Sequence, residues 1–528
     1  MGKKRSAKRP TKPTETPAPP VTAFSLADAL ASPGARRAAP ALLVLVSLLL
    51  TAWTFDAKLS LSGDNTEFIT LARSLVQGEG LSYINEPQAK TATKYPFGLP
   101  LLLAPLEWLF PGEWVPMKWL VSFCLVGAVV MAYLWVGRHL GPTAGAAAGL
   151  LCATMPLLQD YGHQVMSEVP YLAVSLLAIY LLERGLERPG LGHPALWGGM
   201  AALVAAYYLR SVGLVLAAAL MGSLVLGRDW RRALALGGAF FIAWLPWTLR
   251  NRAAGGGGVY FKQLVLFNPY LPELGYLDAS SLAERLYLNL LSYVYQRFPE
   301  GFWLSTEAGL AVPASLAFCA LAAYGVFVCL RRRDHLLPLI YTAFFLFTVV
   351  VWPWTGERFL IPIVPVALFF AFRGALDLAG RLGDRKRMAG AVLVAALALT
   401  GVGHVRGLSV LAQRATSEYP PQWNNYYLAG RWLAANTSQD ALVVCRKSYW
   451  MYIVSGRTAQ VYAFDQPQAV LRGLEEAGAD YVVVDQLGFS STYDFLVPAI
   501  QRYPERFELL WQKSGPDTYI FRFVPKGG

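Results

Sequence analysis

The chain has 528 residues, of which 55% are apolar and only 15% charged, with a net charge of +12 and a mean hydropathy of +0.38. Soluble domains carry about 25% charged residues, so an ordinary cytosolic enzyme and a largely disordered chain are both excluded. Apolar runs recur at about the 20-residue length that crosses a bilayer, which predicts a mainly α-helical polytopic membrane protein.

Residues 1–38 read as a disordered, basic cytoplasmic tail. Lys3, Lys4, Arg5, Lys8, Arg9, Lys12, Arg36 and Arg37 face only Glu15 and Asp28, and hold half of the chain's positive excess. This is a topology signal with attraction to anionic lipid, so nucleic acid is not a partner. Pro40 to Phe55 lacks a convincing cleavage site and reads as an uncleaved first span. Residues 98–110 are apolar but short, bounded by Pro96 and Pro111, and read as a re-entrant or surface-lying helix.

Further spans are expected at 115–137, 142–158, 167–184, 194–209, 211–227, 232–249, 308–330, 335–352, 359–379 and 388–406, about eleven in all. Only Arg210 separates the pair 194–209 and 211–227, which also reads as one broken element. With the N-terminus inside, Arg138, Arg184, Arg188, Arg228, Arg231, Arg232, Arg331 to Arg333 and Arg381 to Arg387 fall in cytoplasmic turns, as the positive-inside rule requires.

Three pieces then lie on the outer side: loops 57–113 and 250–306, and the tail 411–528, the loops belonging to a membrane domain of residues 39–410. The tail predicts a small α/β domain, with a helix over Trp423 to Ala435, strands at Ala441 to Cys445 and Tyr481 to Asp485, and closing strands at Phe507 to Trp511 and Thr518 to Val524. Gly255 to Gly258 reads as a flexible joint, since it lacks the strand–loop–helix setting of a phosphate loop. Cys124, Cys152, Cys319, Cys329 and Cys445 form no CxxC, so neither a zinc ribbon nor a disulfide framework is predicted.

The first outer loop carries the most chemistry. From Asp64, Phe68, Leu71 and Leu75 share a helical face, and Asp64 with Glu67 resembles a capping box at the start of an interfacial helix. The same carboxylate, at the membrane–water boundary, suits proton abstraction from an acceptor hydroxyl or amine. Glu168 opens the fourth span, either as a helix N-terminal charge or as a second acid that orients the acceptor. Asp160, His163 and Glu168 also offer donors to a divalent cation at a spacing that is not diagnostic. Lys94, Arg210, Arg250 and Arg358 end apolar runs on the outer side, where they either snorkel or converge as an anion site.

Taken in order, these marks resemble the GT-C superfamily of polytopic glycosyltransferases, in its bacterial branch with the aminoarabinose transferase and relatives of the protein O-mannosyltransferases. They are Asp64 with the following Ala72-Arg73-x-Leu75 helix and Gly78-x-Gly80-Leu81, Lys94-Tyr95-Pro96-Phe97-Gly98-Leu99-Pro100, Ser167-Glu168, Leu209-Arg210-Ser211-Val212-Gly213, Pro246-Trp247-x-x-Arg250-Asn251, and Glu357-Arg358-Phe359-Leu360-x-Pro362. The resemblance covers about residues 40–380. It implies a polyprenyl-phosphate-linked sugar donor, used on the extracytoplasmic face, with Asp64 as base of an inverting transfer. It further implies Glu168 as a second acidic position, and Lys94, Arg250 and Arg358, joined by Arg210, as holders of the lipid phosphate. Glu67, Tyr95, His163 and Glu357 complete the expected pocket, with a membrane lipid, glycan or protein as acceptor and no cofactor beyond an optional divalent cation. The chain departs from the paired-acid motif, because Asn65 follows Asp64 and the next acid is Glu67. Two other classes stay open on the residues: a transporter or lipid flippase, and an assembly protein whose tail is the working module.

Overall fold

The computed structural model describes residues 33–269, 272–303, 311–381 and 386–525. The basic tail expected over 1–38 therefore lies, up to residue 32, outside the described residues. Among the described residues, six helical stretches are long and apolar enough to cross a membrane: Arg37–Thr54 (within α1, Pro33–Thr54), α4 (Val115–Leu140), α7 (Glu168–Leu186), α10 (Trp230–Ala253), α14 (Ala311–Arg332), and Glu357–Arg381. The last begins as a 3-10 turn, Glu357–Ile363, and continues as α16 (Val364–Arg381). The chain is an integral membrane protein.

The other apolar runs are shorter or broken, for reasons visible in the sequence. The run 142–158 divides into α5 (Pro142–Thr154) and α6 (Pro156–Gly162) because Met155 is extended ahead of Pro156. The run around Arg210 divides into α8 (Pro194–Leu209) and α9 (Gly213–Leu226), with Arg210 itself extended. α3 (Gly98–Leu109) and α15 (Leu336–Val351) are likewise short apolar helices. The last expected span, 388–406, falls inside the helix α17 (Lys386–Thr416). Close helix approach uses small residues. A Cβ on Gly325 would stand 1.8 Å from the Phe370 carbonyl oxygen, and one on Gly374 would stand 2.3 Å from that of Leu321, so α14 and α16 touch backbone to backbone.

Beyond the bundle, the first loop, 57–113, contains α2 (Gly63–Val76) and a two-stranded ribbon, β1 (Ser82–Tyr83) against β2 (Lys90–Thr91). The second contains α11 (Val259–Val265), α12 (Ala279–Ser292) and α13 (Phe298–Trp303). The tail holds a five-stranded mixed sheet in the order β4-β3-β5-β7-β6. Strands β3 (Leu442–Val444), β4 (Thr458–Gln460) and β5 (Tyr481–Val484) are parallel. β6 (Phe507–Lys513) and β7 (Thr518–Phe523) are antiparallel additions.

Strand alternation divides the sheet's residues between two cores. Val444, Val482 and Val484 pack with Val470, Leu474 and Leu496 under α20 (Pro467–Ala477). Val443, Val483 and Ile520 face the other way, into one core shared by α18 (Pro421–Asn436), α19 (Ser448–Ser455), and Phe68, Ile69, Ala72, Leu99 and Leu103 of the first loop region. Backbone bonds seal the junction: Ala459 N–H donates to the Asn85 carbonyl at 2.6 Å. The tail and the first loop therefore share buried apolar surface, and α2 is buried on nearly every side instead of lying as an interfacial amphipathic helix.

Candidate active site

α2 is capped at Ser62, two residues before Asp64, and no capping box forms. The Asp64 carboxylate turns away from its own helix. Its Oδ1 accepts from the Tyr95 hydroxyl at 2.9 Å, and its Oδ2 from Arg358 Nη1 at 3.0 Å. Lys94 Nζ stands 4.0 Å from Oδ1 and 3.1 Å from Glu67 Oε2. Glu67, one turn beyond Asp64 on α2, takes a second bond from the Tyr83 hydroxyl at 2.8 Å.

On the other side, Arg358 reaches to 3.9 Å from Glu168 Oε1, at the first residue of α7. Arg210 Nη1 lies 2.8 Å from the same oxygen and donates to Ser167 Oγ at 3.0 Å. The extended backbone at Arg210, which breaks the helix there, is what carries its guanidinium to this point. The result is a row of alternating charge, Glu67–Lys94–Asp64–Arg358–Glu168–Arg210. It is drawn from the first loop, the start of α7, the α8–α9 break and the turn before α16.

Burial splits the two loop carboxylates. Burial alone raises the Asp64 carboxyl, but the Arg358 and Lys94 charges and the Tyr95 hydrogen bond outweigh it and hold the group below the ordinary range. For Glu67 burial prevails over Lys94 and Tyr83, helped by repulsion from Asp64, and the carboxyl is pushed up. Asp64 is thus ionised at neutral pH and offers lone pairs at a half-exposed position, while Glu67 is 5% exposed. Glu168 is 1% exposed, and its Oε2 accepts no hydrogen bond among the described residues.

Three expected residues stand apart. Arg250 does not join the row: it donates to the carbonyls of Ala92 and of Leu81, the latter at 3.1 Å, and stacks over Trp247 at 4.9 Å. It braces the first loop from behind. Glu357 faces Tyr161, whose hydroxyl donates to it at 3.4 Å, while its neighbour Arg358 faces Asp64. His163 Nε2 is 3.9 Å from Asp160, and its ring packs edge-on against Phe55. Burial first, then the Lys118 and Lys58 charges, lower His163 to about 3, so it is neutral at working pH. Asp160 faces His163, while Glu168 is engaged by Arg210 and Arg358.

Sequence reading missed Tyr83, Tyr161, Tyr260 and Lys447. Tyr260 on α11 is close enough to Asp64, Glu67 and Glu168 that all three carboxylates add to the rise of its phenol caused first by burial. Lys447, from the tail, ends 3.8 Å from where a Gly63 Cβ would stand and lies over the Phe489 ring at 4.3 Å. Burial and then Arg446 lower its ammonium, against the pull of Asp64. The glycine joint also has a fixed place. A Cβ on Gly256 would lie 2.3 Å from Thr93 Oγ1, so only glycine lets this segment close on the residue before Lys94.

Comparison with known proteins follows this geometry. Residues 95–247 match the family described as dolichyl-phosphate-mannose–protein mannosyltransferase. ArnT from Cupriavidus metallidurans bound to undecaprenyl phosphate superposes with a TM-score of 0.60 at 13% identity, over 92% of this chain and 98% of that one. The archaeal oligosaccharyltransferase AglB from Archaeoglobus fulgidus, in complex with an inhibitory peptide and a dolichol-phosphate, gives 0.54 at 14% identity, over 92% and 74%. The chain has the GT-C fold. The arabinofuranosyltransferase AftD from Mycobacteria gives a TM-score of 0.50 at 14% identity, over 93% of this chain and 40% of that one. No curated protein matches the chain by sequence. The resemblance read from ordered motifs in the sequence holds at the level of the fold.

Proposed function

We propose that the chain transfers a sugar from a polyprenyl-phosphate donor to an acceptor on the extracytoplasmic face of a membrane, with inversion, using Asp64 as base. The observation that carries this reading is the ionised, half-exposed Asp64 carboxylate held between Tyr95 and Arg358, with Lys94 beside it. Polyprenyl phosphates in the ArnT and AglB structures support the donor class. The arginine-rich turns at the opposite ends of the helices support the side.

The step itself asks little of an acid. A lipid phosphate leaves readily once its developing charge is met by fixed cations. Lys94, Arg358 and Arg210 supply them, and Arg250 keeps the Lys94 loop in place. The acceptor hydroxyl or amine gives its proton to Asp64 as it attacks the anomeric carbon from the face opposite the phosphate. Holding the carboxylate low makes Asp64 a weak base, suited to orienting the acceptor and taking its proton late, when the attacking atom has become acidic. Tyr95 fixes the carboxylate rotamer. Glu168 sets the spacing of Arg210 and Arg358.

Binding of a labelled polyprenyl phosphate to the purified protein tests the donor class. Wild type is expected to bind saturably, and Lys94→Met to bind at least ten-fold more weakly. Absence of saturable binding to wild type would overturn the reading.

A further inference from the structure

A second polar cluster lies at the far end of the same helices, and nothing in the proposed transfer uses it. His139 is at the last turn of α4, Glu183 at the last turn of α7, and His335 immediately precedes α15. One donor atom from each lies within 4.8 Å of the other two, and all three side chains are half-buried. From Glu168 to Glu183 along α7 is about 22 Å at 1.5 Å per residue, so this cluster is remote from Asp64.

We infer that His139, Glu183 and His335 form a transition-metal site that ties the ends of α4, α7 and α15 together. This inference is independent of the proposed transferase activity. Two imidazoles and one carboxylate with a fourth position left to water is a set suited to zinc or cobalt; calcium and magnesium prefer all-oxygen shells. His139 Nε2 and Glu183 Oε2 are already 2.9 Å apart. Donor atoms around tetrahedral zinc stand about 3.3 Å apart, so separations that all lie within 4.8 Å need to close by at most about 1.5 Å, a distance within reach of ring rotation.

The surroundings also have the form of a supporting shell. Trp135 Nε1 donates to Glu183 Oε2 at 2.8 Å and fixes the carboxylate. Phe369 packs on both imidazoles, with ring centroids 5.8 Å from His139 and 5.0 Å from His335. The two imidazoles stand edge to face at 4.6 Å. An ion pair between Arg373 and Asp334 at 3.2 Å anchors the turn that carries His335 to α16.

His335 is in the left-handed region at φ 55°, ψ 42°, and Arg333 shares the same φ two residues earlier. Non-glycine residues are uncommon there, with asparagine, aspartate and histidine the better tolerated.

The test uses full-length, tag-free protein in detergent, titrated with Co2+ by visible absorption and then with Zn2+ in competition. Wild type is expected to take up one equivalent, with the absorption bands of a four-coordinate ion, and zinc is expected to raise its unfolding temperature. His335→Asn keeps a residue suited to the left-handed backbone, and Glu183→Gln keeps an acceptor for Trp135. Both are expected to bind at least ten-fold more weakly while unfolding, without metal, at the wild-type temperature. His193→Ala, outside the cluster, is expected to bind as wild type does. Failure of wild type to bind stoichiometrically, uptake that survives His335→Asn, or equal loss in His193→Ala would each overturn the assignment.

Discussion

Replacing Arg358 by methionine removes a cation that touches both Asp64 and Glu168, at 3.0 and 3.9 Å. Two unit charges 4 Å apart attract by on the order of 4 kcal/mol at an effective dielectric of 20. Desolvation offsets part of this, and a charged hydrogen bond nets about 1.5–3 kcal/mol. With 27% and 29% of the two side chains exposed, the lower end applies, about 1.5–2 kcal/mol of support for ionised Asp64. Loss of a cation aimed at the leaving phosphate lowers kcat by a further factor on the order of 100. The sign of the pH effect follows from the same pair. Arg358 is the largest influence lowering the Asp64 carboxyl, so its removal raises that carboxyl and moves the acid limb of activity to higher pH. The assay is donor turnover in nanodiscs from pH 4.5 to 9 for wild type, Arg358→Met and Arg358→Lys. The lysine variant is expected to recover part of kcat and most of the pH profile. Wild-type turnover with an unshifted acid limb in Arg358→Met would refute the reasoning.

Three other outcomes follow from buried groups. Arg210→Leu leaves Glu168, which is 1% exposed, with only the longer Arg358 contact at 3.9 Å, and is expected to cost about 3 kcal/mol, read as a lower unfolding temperature, with Arg210→Leu/Glu168→Leu recovering most of the loss. Asp485 in the tail is raised to about 6 by burial, against the Leu487 amide and the Arg446 and Lys447 charges. The folded state therefore favours the protonated acid, whose stabilising contribution is complete at low pH and fades as pH rises through about 6. Asp485→Asn should accordingly gain up to ~3 kcal/mol at pH 8 and nothing at pH 4 in thermal unfolding. Deleting 411–528 uncovers Phe68, Ile69, Leu99 and Leu103, so the truncated protein is expected to aggregate in gel filtration; a monodisperse, fully active truncation would refute the shared core.

The reading of the sequence succeeded where one residue type at one position had few uses. Arg210, alone between two apolar runs, announced a helix break, but its pairing with Glu168 was not foreseen. Asp64 was legible as a carboxylate at the start of the loop helix, but its local pattern with Glu67 suggested a helix cap, and long-range partners took both side chains instead. Arg250 shows the opposite limit: its place at the end of a span was legible, its direction was not, and carbonyls of the first loop claimed it. Lys447 left no local signal, because it reaches the site only through packing of the tail onto α2. Span reading by hydropathy missed the break at Met155, where a single residue of extended backbone cuts the run 142–158.

The central claim is that Asp64 is the base of a transfer from a lipid phosphate. Its most direct test is purified protein in nanodiscs, given a panel of polyprenyl-phosphate sugars and acceptors, with release of lipid phosphate and the anomeric configuration of the product both measured. The account predicts release with inversion by wild type, and loss of release in Asp64→Asn with donor binding retained. Wild-type release by Asp64→Asn, or a product of retained configuration, would contradict it.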